Sequence, residues 1–279
     1  MKQKLLFVIE DFQVNGAITS LLALLNALKD AECELYCFAC SHEGSLLASL
    51  PPHVKLLPEQ IEYAVFRKPL LVGFRHAVKH GNFLLALLRL CIPISRRLFH
   101  KTPRFWRIRK PIPGVYDVAI SYTDGFAGEI LCQKVDAKRR AMWIHNDYIH
   151  YPQSSETFVA FDRVDLAIGC SQSVVDTFLA QHPGPYHKLT AVIHNIVNVQ
   201  NALARSCETQ TVVWREDASL KILSVGRLSC QKNFKAIPAI LYALKQKANV
   251  IPPPYRLAYY RCGRSLSCPM PSGGSAMAC

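Results

Sequence analysis

Between Tyr63 and Tyr116 the chain has no aspartate and no glutamate. The same interval holds Arg67, Lys68, Arg75, Lys79, Arg89, Arg96, Arg97, Lys101, Arg104, Arg107, Arg109 and Lys110. Such a one-signed stretch, in a chain of formal net charge +13, favours acidic partners: nucleic acid, anionic lipid or phosphorylated small molecules. Long apolar runs are missing as well. The longest candidate, Phe83 to Ile94, is broken by Arg89 and falls short of the ~18–20 residues a membrane-crossing helix needs. The N-terminal apolar run is too short for a secretory signal and meets Glu10 and Asp11. The cysteines follow no framework spacing, and their number, 11, is odd, so a reduced, cytoplasmic chain is expected. There is no G-x-G-x-x-G, which leaves a dinucleotide oxidoreductase little support. No internal repeat is visible.

What is present suits a folded protein. Half the residues are hydrophobic and 19% are charged, well outside the disordered range. Strand-length apolar runs alternate with helix-period segments along most of the chain. Lys4–Ile9 leads through a polar turn into Ala17–Leu28, where Ile18, Leu21, Leu22, Leu25 and Leu28 recur at helical spacing. Glu34–Ala39 and His53–Leu57 read as strands. Leu70–Leu98 reads as helix interrupted at Gly81 and Pro93. The alternation resumes with a strand at Asp117–Ser121, a helix at Gly125–Cys132 and a strand at Arg140–His145. It continues with a helix at Glu156–Arg163, a strand at Leu166–Cys170, a helix at Ser171–Gln181 and a strand at Leu189–His194. This order predicts a doubly wound α/β domain over residues 1–200. Residues 201–219 are mixed and polar and read as a linker. Leu220–Val225 restarts the pattern, with a helix from about Phe234 to Lys247, so a second α/β domain begins at 220–247. Residues 248–279 lose all periodicity after Pro252-Pro253-Pro254.

Three segments together resemble the glycosyltransferases of family 4, which have the GT-B fold. Lys221–Ala236, KILSVGRLSCQKNFKA, is similar to that family's strand ending in Gly-Arg-Leu with a Lys five residues on. Asp165–Asp176, DLAIGCSQSVVD, followed by Val192–Asn198, resembles the family's strand–Ser–helix and its exit from the N-terminal domain. Trp143–Asp147 resembles the strand end that carries a His. The resemblance covers roughly residues 1–245. It implies a complete N-terminal, Rossmann-like acceptor domain followed by the first strand and helix of a Rossmann-like donor domain. It also implies retaining transfer of a hexosyl unit from a nucleotide-diphosphate sugar to an acceptor hydroxyl, in cell-envelope polysaccharide or glycolipid synthesis. The nucleotide sugar is then a co-substrate, and no cofactor or metal is expected.

The resemblance also assigns residues. Arg227 and Lys232 take the donor phosphates, a bidentate donor and a point charge suited to a departing diphosphate. Gly16 opens the first helix beside them, where a missing Cβ and the helix N-terminus let an anion approach. His145 is the catalytic candidate, touching the transferred sugar or orienting the acceptor. Asp124 and Asp147 are candidates for the acceptor hydroxyls. Each residue type also has a plain reading as a turn, a solvated charge or a satisfied core group.

Two features depart from the family. Its pair of glutamates lies after the Gly-Arg-Leu turn, whereas the one such spacing here, Glu208 and Glu216, lies before Arg227. The ending reads as though out of frame, so the donor domain is expected to be cut short. A catalytically inactive remnant that binds an acceptor or a membrane is therefore the alternative. Cys33, Cys37, Cys40 and His42 lie close together, but Cys37 falls inside a strand and no second pair follows, so buried thiols are expected rather than zinc. The basic stretch 67–110 interleaves Phe, Leu, Trp and Arg. It suits either a helix on an anionic membrane, peripheral at the inner face, or a solvated face. It matches no nucleic-acid reader motif.

Overall fold

The computed structural model describes residues 2–99, 105, 108–207, 226 and 232–248. The chain divides into two compact units, Met1–Gln200 and Asn201–Cys279. In the first, the elements run β1 (Gln3–Ile9), α1 (Gly16–Ala27), β2 (Cys33–Ala39), β3 (Val54–Leu56), α2 (Ile61–Arg67), α3 (Leu70–Lys79) and α4 (Phe83–Phe99). They continue with β4 (Val115–Ser121), α5 (Phe126–Lys134), β5 (Asp136–Ile144), α6 (Ser155–Phe161), β6 (Leu166–Gly169), α7 (Gln172–Gln181) and β7 (Leu189–Val192). All pairings are parallel, in the order β3-β2-β1-β4-β5-β6-β7. This is the doubly wound, Rossmann-like α/β fold that the alternation predicts.

Sheet position follows from side-chain alternation. β1 lies inside the sheet between β2 and β4, and its last four residues are apolar and buried on both faces, as an interior parallel strand requires. Leu6 and Val8 join Phe38, Ile130 and Ile144 in one core layer. Phe7 and Ile9 join Ile18, Leu21, Leu25 and Trp143 in the other. Helix starts follow side-chain capping. Asn15, Ser154 and Ser171 cap α1, α6 and α7 through bonds to Ile18, Thr157 and Val174 amides.

Several elements differ from the sequence reading. Gly81, at φ +68°, does end α3. Pro93 does not end α4, which runs through it. Pro93 removes one amide donor and crowds the carbonyl of Arg89. The helix tolerates this because Asn82 caps its start and Leu85 and Ala86 pack with Val65 and Ala77. α2 has no counterpart in the sequence reading, since its seven residues are too few to display a period. The segment read as linker begins inside a helix, α8 (Val199–Ser206), built from the helix formers Ala202, Leu203, Ala204 and Arg205.

Of the second unit, residues 201–207, Gly226 and residues 232–248 are described. A short 3-10 turn, Phe234–Ala236, leads into α9 (Ile237–Ala248). The expected strand at 220–225, Arg227, the Glu208/Glu216 pair and the aperiodic tail lie outside the described residues.

Candidate functional site

Every strand of the sheet ends at the same edge, and the winding reverses between β1 and β4. Loops leaving neighbouring strands in opposite directions open a crevice at such a point. Gly16, Asp124, His145 and Asp147 all follow strand ends at this edge.

Tyr122, the first residue past β4, ties the edge together. Its amide donates to the carbonyl of Val8 on β1 over 3.1 Å. Its hydroxyl pairs with Ser20 Oγ of α1 at 2.9 Å, both groups being buried. Its ring stands 4.6 Å from that of Trp143 and 5.1 Å from that of His145. Its carbonyl oxygen lies 2.9 Å from His145 Nε2. Four elements therefore meet at one residue.

That last bond fixes the chemistry of His145. A carbonyl oxygen only accepts, so Nε2 carries the hydrogen. Burial lowers the pKa of the ring, outweighing the bond to Tyr122, and favours the neutral form. Nδ1 is then a lone-pair acceptor, and it is buried without a hydrogen-bond partner. Thr123 Oγ1 and Trp143 Nε1 are likewise buried without one. Three unanswered polar atoms on adjacent strand ends form a pattern that ligand hydroxyls would satisfy.

Asp124 accepts a hydrogen bond from Tyr148 Oη at 2.9 Å. Burial raises its pKa, with the Tyr148 bond opposing, so this carboxyl holds its proton more tightly than an exposed one. Burial and the neighbouring Asp124 push the Tyr148 phenol up. Glu10, at the end of β1, is also raised, chiefly by burial; Arg67 opposes, while Asp11 and Asp124 add to the rise. Arg67 binds Asp11 at 2.8 Å and Glu10 at 2.5 Å, answering both acids of this loop.

Gly16 begins α1 with no heavy atom within 4 Å of where a Cβ would stand. Asn15 receives the amides of Ile18 through its side chain and Thr19 through its carbonyl. Helix geometry gives the amides of Gly16 and Ala17 no intrahelical acceptor. Asp147 is differently engaged. Oδ1 accepts from the Ile149 amide at 2.8 Å and Oδ2 from His150 Nδ1 at 2.6 Å. The His150 bond, foremost, lowers its pKa. It holds the turn after β5 with both oxygens.

In the second unit Lys232 is exposed, and its Cγ lies 3.4 Å from where a Cβ on Gly226 would stand. A side chain on Gly226 would crowd both this stem and the ring of Phe234, 3.3 Å away. Cys37 and Cys40 are fully buried, and burial pushes Cys37 up to about 12 and Cys40 up as well, so both stay thiols near neutral pH. Among the described residues, no group of three or more His, Cys, Asp or Glu side chains could hold a metal ion.

The sequence reading missed Tyr122, Thr123, Tyr148 and the Glu10–Asp11–Arg67 group. Tyr122 and Thr123 had one usable signal, a place just past a strand like that of His145. Tyr148 and Arg67 had none, since their partners lie on other elements.

No protein-family model and no curated protein matches the chain. Among solved structures, 11 chains match. One is a protein from Listeria monocytogenes assigned as a UDP-N-acetylglucosamine 2-epimerase, at 12% identity and a TM-score of 0.32. The match covers 66% of this chain and 44% of that one, so the chain spans less than half the length of that protein.

Proposed function

We propose that this chain is a nucleotide-sugar-dependent glycosyltransferase of the GT-B type, transferring a hexosyl unit to an acceptor hydroxyl with retention. The observation that carries the reading is the unpartnered Nδ1 of a neutral His145 at the switch-point edge, with Thr123 Oγ1 beside it in sequence and equally unanswered. A sugar hydroxyl has the donor and acceptor capacity these atoms need. His145 accepts a hydrogen bond from the transferred sugar or the acceptor. Asp124, whose pKa burial raises, binds an acceptor hydroxyl, and Asp147 reaches one only by giving up a turn contact. Gly16 leaves open space at the first amides of α1 for a phosphate oxygen. Arg227 and Lys232 take the diphosphate as the bond from the anomeric carbon to its oxygen breaks, the acceptor oxygen bonds to that carbon, and the acceptor's hydroxyl proton passes to the departing diphosphate. The acceptor in this proposal is a glycan or glycolipid presented at an anionic membrane face.

The test is release of free nucleoside diphosphate from a panel of nucleotide-diphosphate sugars, with and without added glycan. Release from one donor that Arg227→Ala and His145→Ala each reduce supports the reading. If no donor is bound or turned over, the chain is instead an inactive acceptor-binding module.

A further inference from the structure

The crossover from β3 to β4 carries α2, α3 and α4, and all of it past Glu62 lies in the acid-free interval. Its inner side is a small core of Val65, Ala77, Leu85 and Ala86, with Phe66, Phe74 and Ile108 against it. Its outer side is also apolar. Phe83, Leu87, Leu90, Ile94 and Leu98 follow one another at intervals of three or four residues, which places them in one stripe along α4. They are 70, 60, 37, 57 and 64% exposed. On the neighbouring α3, Leu71, Val72 and Val78 are exposed too. Scattered exposed leucines need no explanation, but a five-residue stripe along one helix, beside a packed helix with three more exposed apolar side chains, does.

Charge decides what covers it. The cations turned inward have partners in the fold: Arg67 on Glu10 and Asp11, Lys68 on Glu43, Arg89 on the Lys68 carbonyl, and Arg109 over the rings of Tyr63, Phe66 and Phe126. Arg75, Lys79 and Arg97 are exposed, and no acidic side chain among the described residues pairs with them. A second copy would bring the same cations to the same face and be repelled. Nucleic acid would find phosphate partners but no use for a leucine stripe. An anionic bilayer answers both features. No helix among the described residues is long and apolar enough to cross a membrane, so α4, about 25 Å long, would lie along one.

We propose that the outer face of α3 and α4 docks this chain on anionic phospholipid, with the stripe at the acyl boundary and Arg75, Lys79 and Arg97 among the headgroups. This deepens the membrane-face acceptor reading above and rests on it for purpose, but its observations and its test are separate. The full chain is sedimented with vesicles of phosphatidylcholine alone or mixed with phosphatidylglycerol. Pelleting is expected with the mixed vesicles only, and it should weaken with added salt. The combined variant Arg75→Gln, Lys79→Gln, Arg97→Gln should bind on the order of a hundredfold more weakly. Leu87→Glu with Ile94→Glu should abolish binding while circular dichroism stays that of the wild type. No pelleting, equal pelleting with both lipids, or a glutamine variant that binds normally would overturn the proposal. So would a lipid-free dimer in sedimentation velocity that the Glu variant dissolves, since that assigns the face to a second copy. Donor turnover without lipid binding would sink this proposal alone, and lipid binding without turnover would sink only the enzymatic one.

Discussion

His145 holds Tyr122 through its carbonyl and rests its ring near that of Trp143, so it acts as a tie between strand ends as well as a candidate ligand. His145→Ala should lower stability by about 1–3 kcal/mol in urea unfolding, the range for losing a buried hydrogen bond and leaving a ring-sized gap. Asp124 offers a sharper test through pH. Its folded pKa lies above its unfolded value, so between the two the folded state binds more protons. Stability contributed by this group is therefore present below the unfolded pKa and lost as pH rises through the folded one. Asp124→Asn keeps an acceptor for Tyr148 and removes that loss. Urea midpoints of variant and wild type should separate as pH rises above about 4, the variant being the more stable. Glu10 is raised in the same sense, in part by the Asp124 charge, so the difference between the two proteins reports Asp124 together with its coupling to Glu10. How far such a site can be read in advance depends on whether a residue's meaning is local. His145 was legible because it ends an apolar strand. Its proton state was not, because the carbonyl that sets it lies 23 residues away. Asp147 was legible as an acid after a strand, but its commitment to the Ile149 amide and His150 is a matter of turn geometry.

Helix α4 carries its proline at an exposed position in mid-helix. Pro93→Ala restores an amide donor for the Arg89 carbonyl and relieves the ring clash. It should raise stability by about 1–3 kcal/mol, read as a higher melting temperature by circular dichroism. The element pattern was legible wherever period and length agreed. β1, α1, β2 and α7 fall within a residue or two of where the runs place them, because their apolar residues face one core layer or alternate between two. The misses have separate physical causes. α2 is too short to show a period. Pro93 is overruled by the packing of Leu85 and Ala86. α8 is exposed along its described side chains and has no buried face to reveal it, only the propensity of its residues.

At the scale of the molecule, the doubly wound order was legible from the strand–helix alternation, because right-handed parallel crossovers leave few other arrangements. Which cations of the acid-free interval are used inside the fold was not, since a string of cations looks the same whether it pairs inward, as Arg67 and Lys68 do, or stays exposed, as Arg75, Lys79 and Arg97 do. Among the described residues, all seven strands and all three core clusters lie before residue 199. A fragment of residues 1–198 is therefore expected to fold alone and to melt in one transition, with calorimetric and van't Hoff enthalpies in agreement. The centre of the sheet sets a schedule for synthesis. β1 pairs with β4 from Leu5–Val118 to Val8–Ser121. The middle of the sheet cannot close until the ribosome has made the whole crossover, roughly ten seconds of elongation after β1 at common rates. During that interval the apolar stripe of α4 emerges ahead of the strand that completes the core, and a nascent chain at that length is the form most exposed to chaperones and to aggregation.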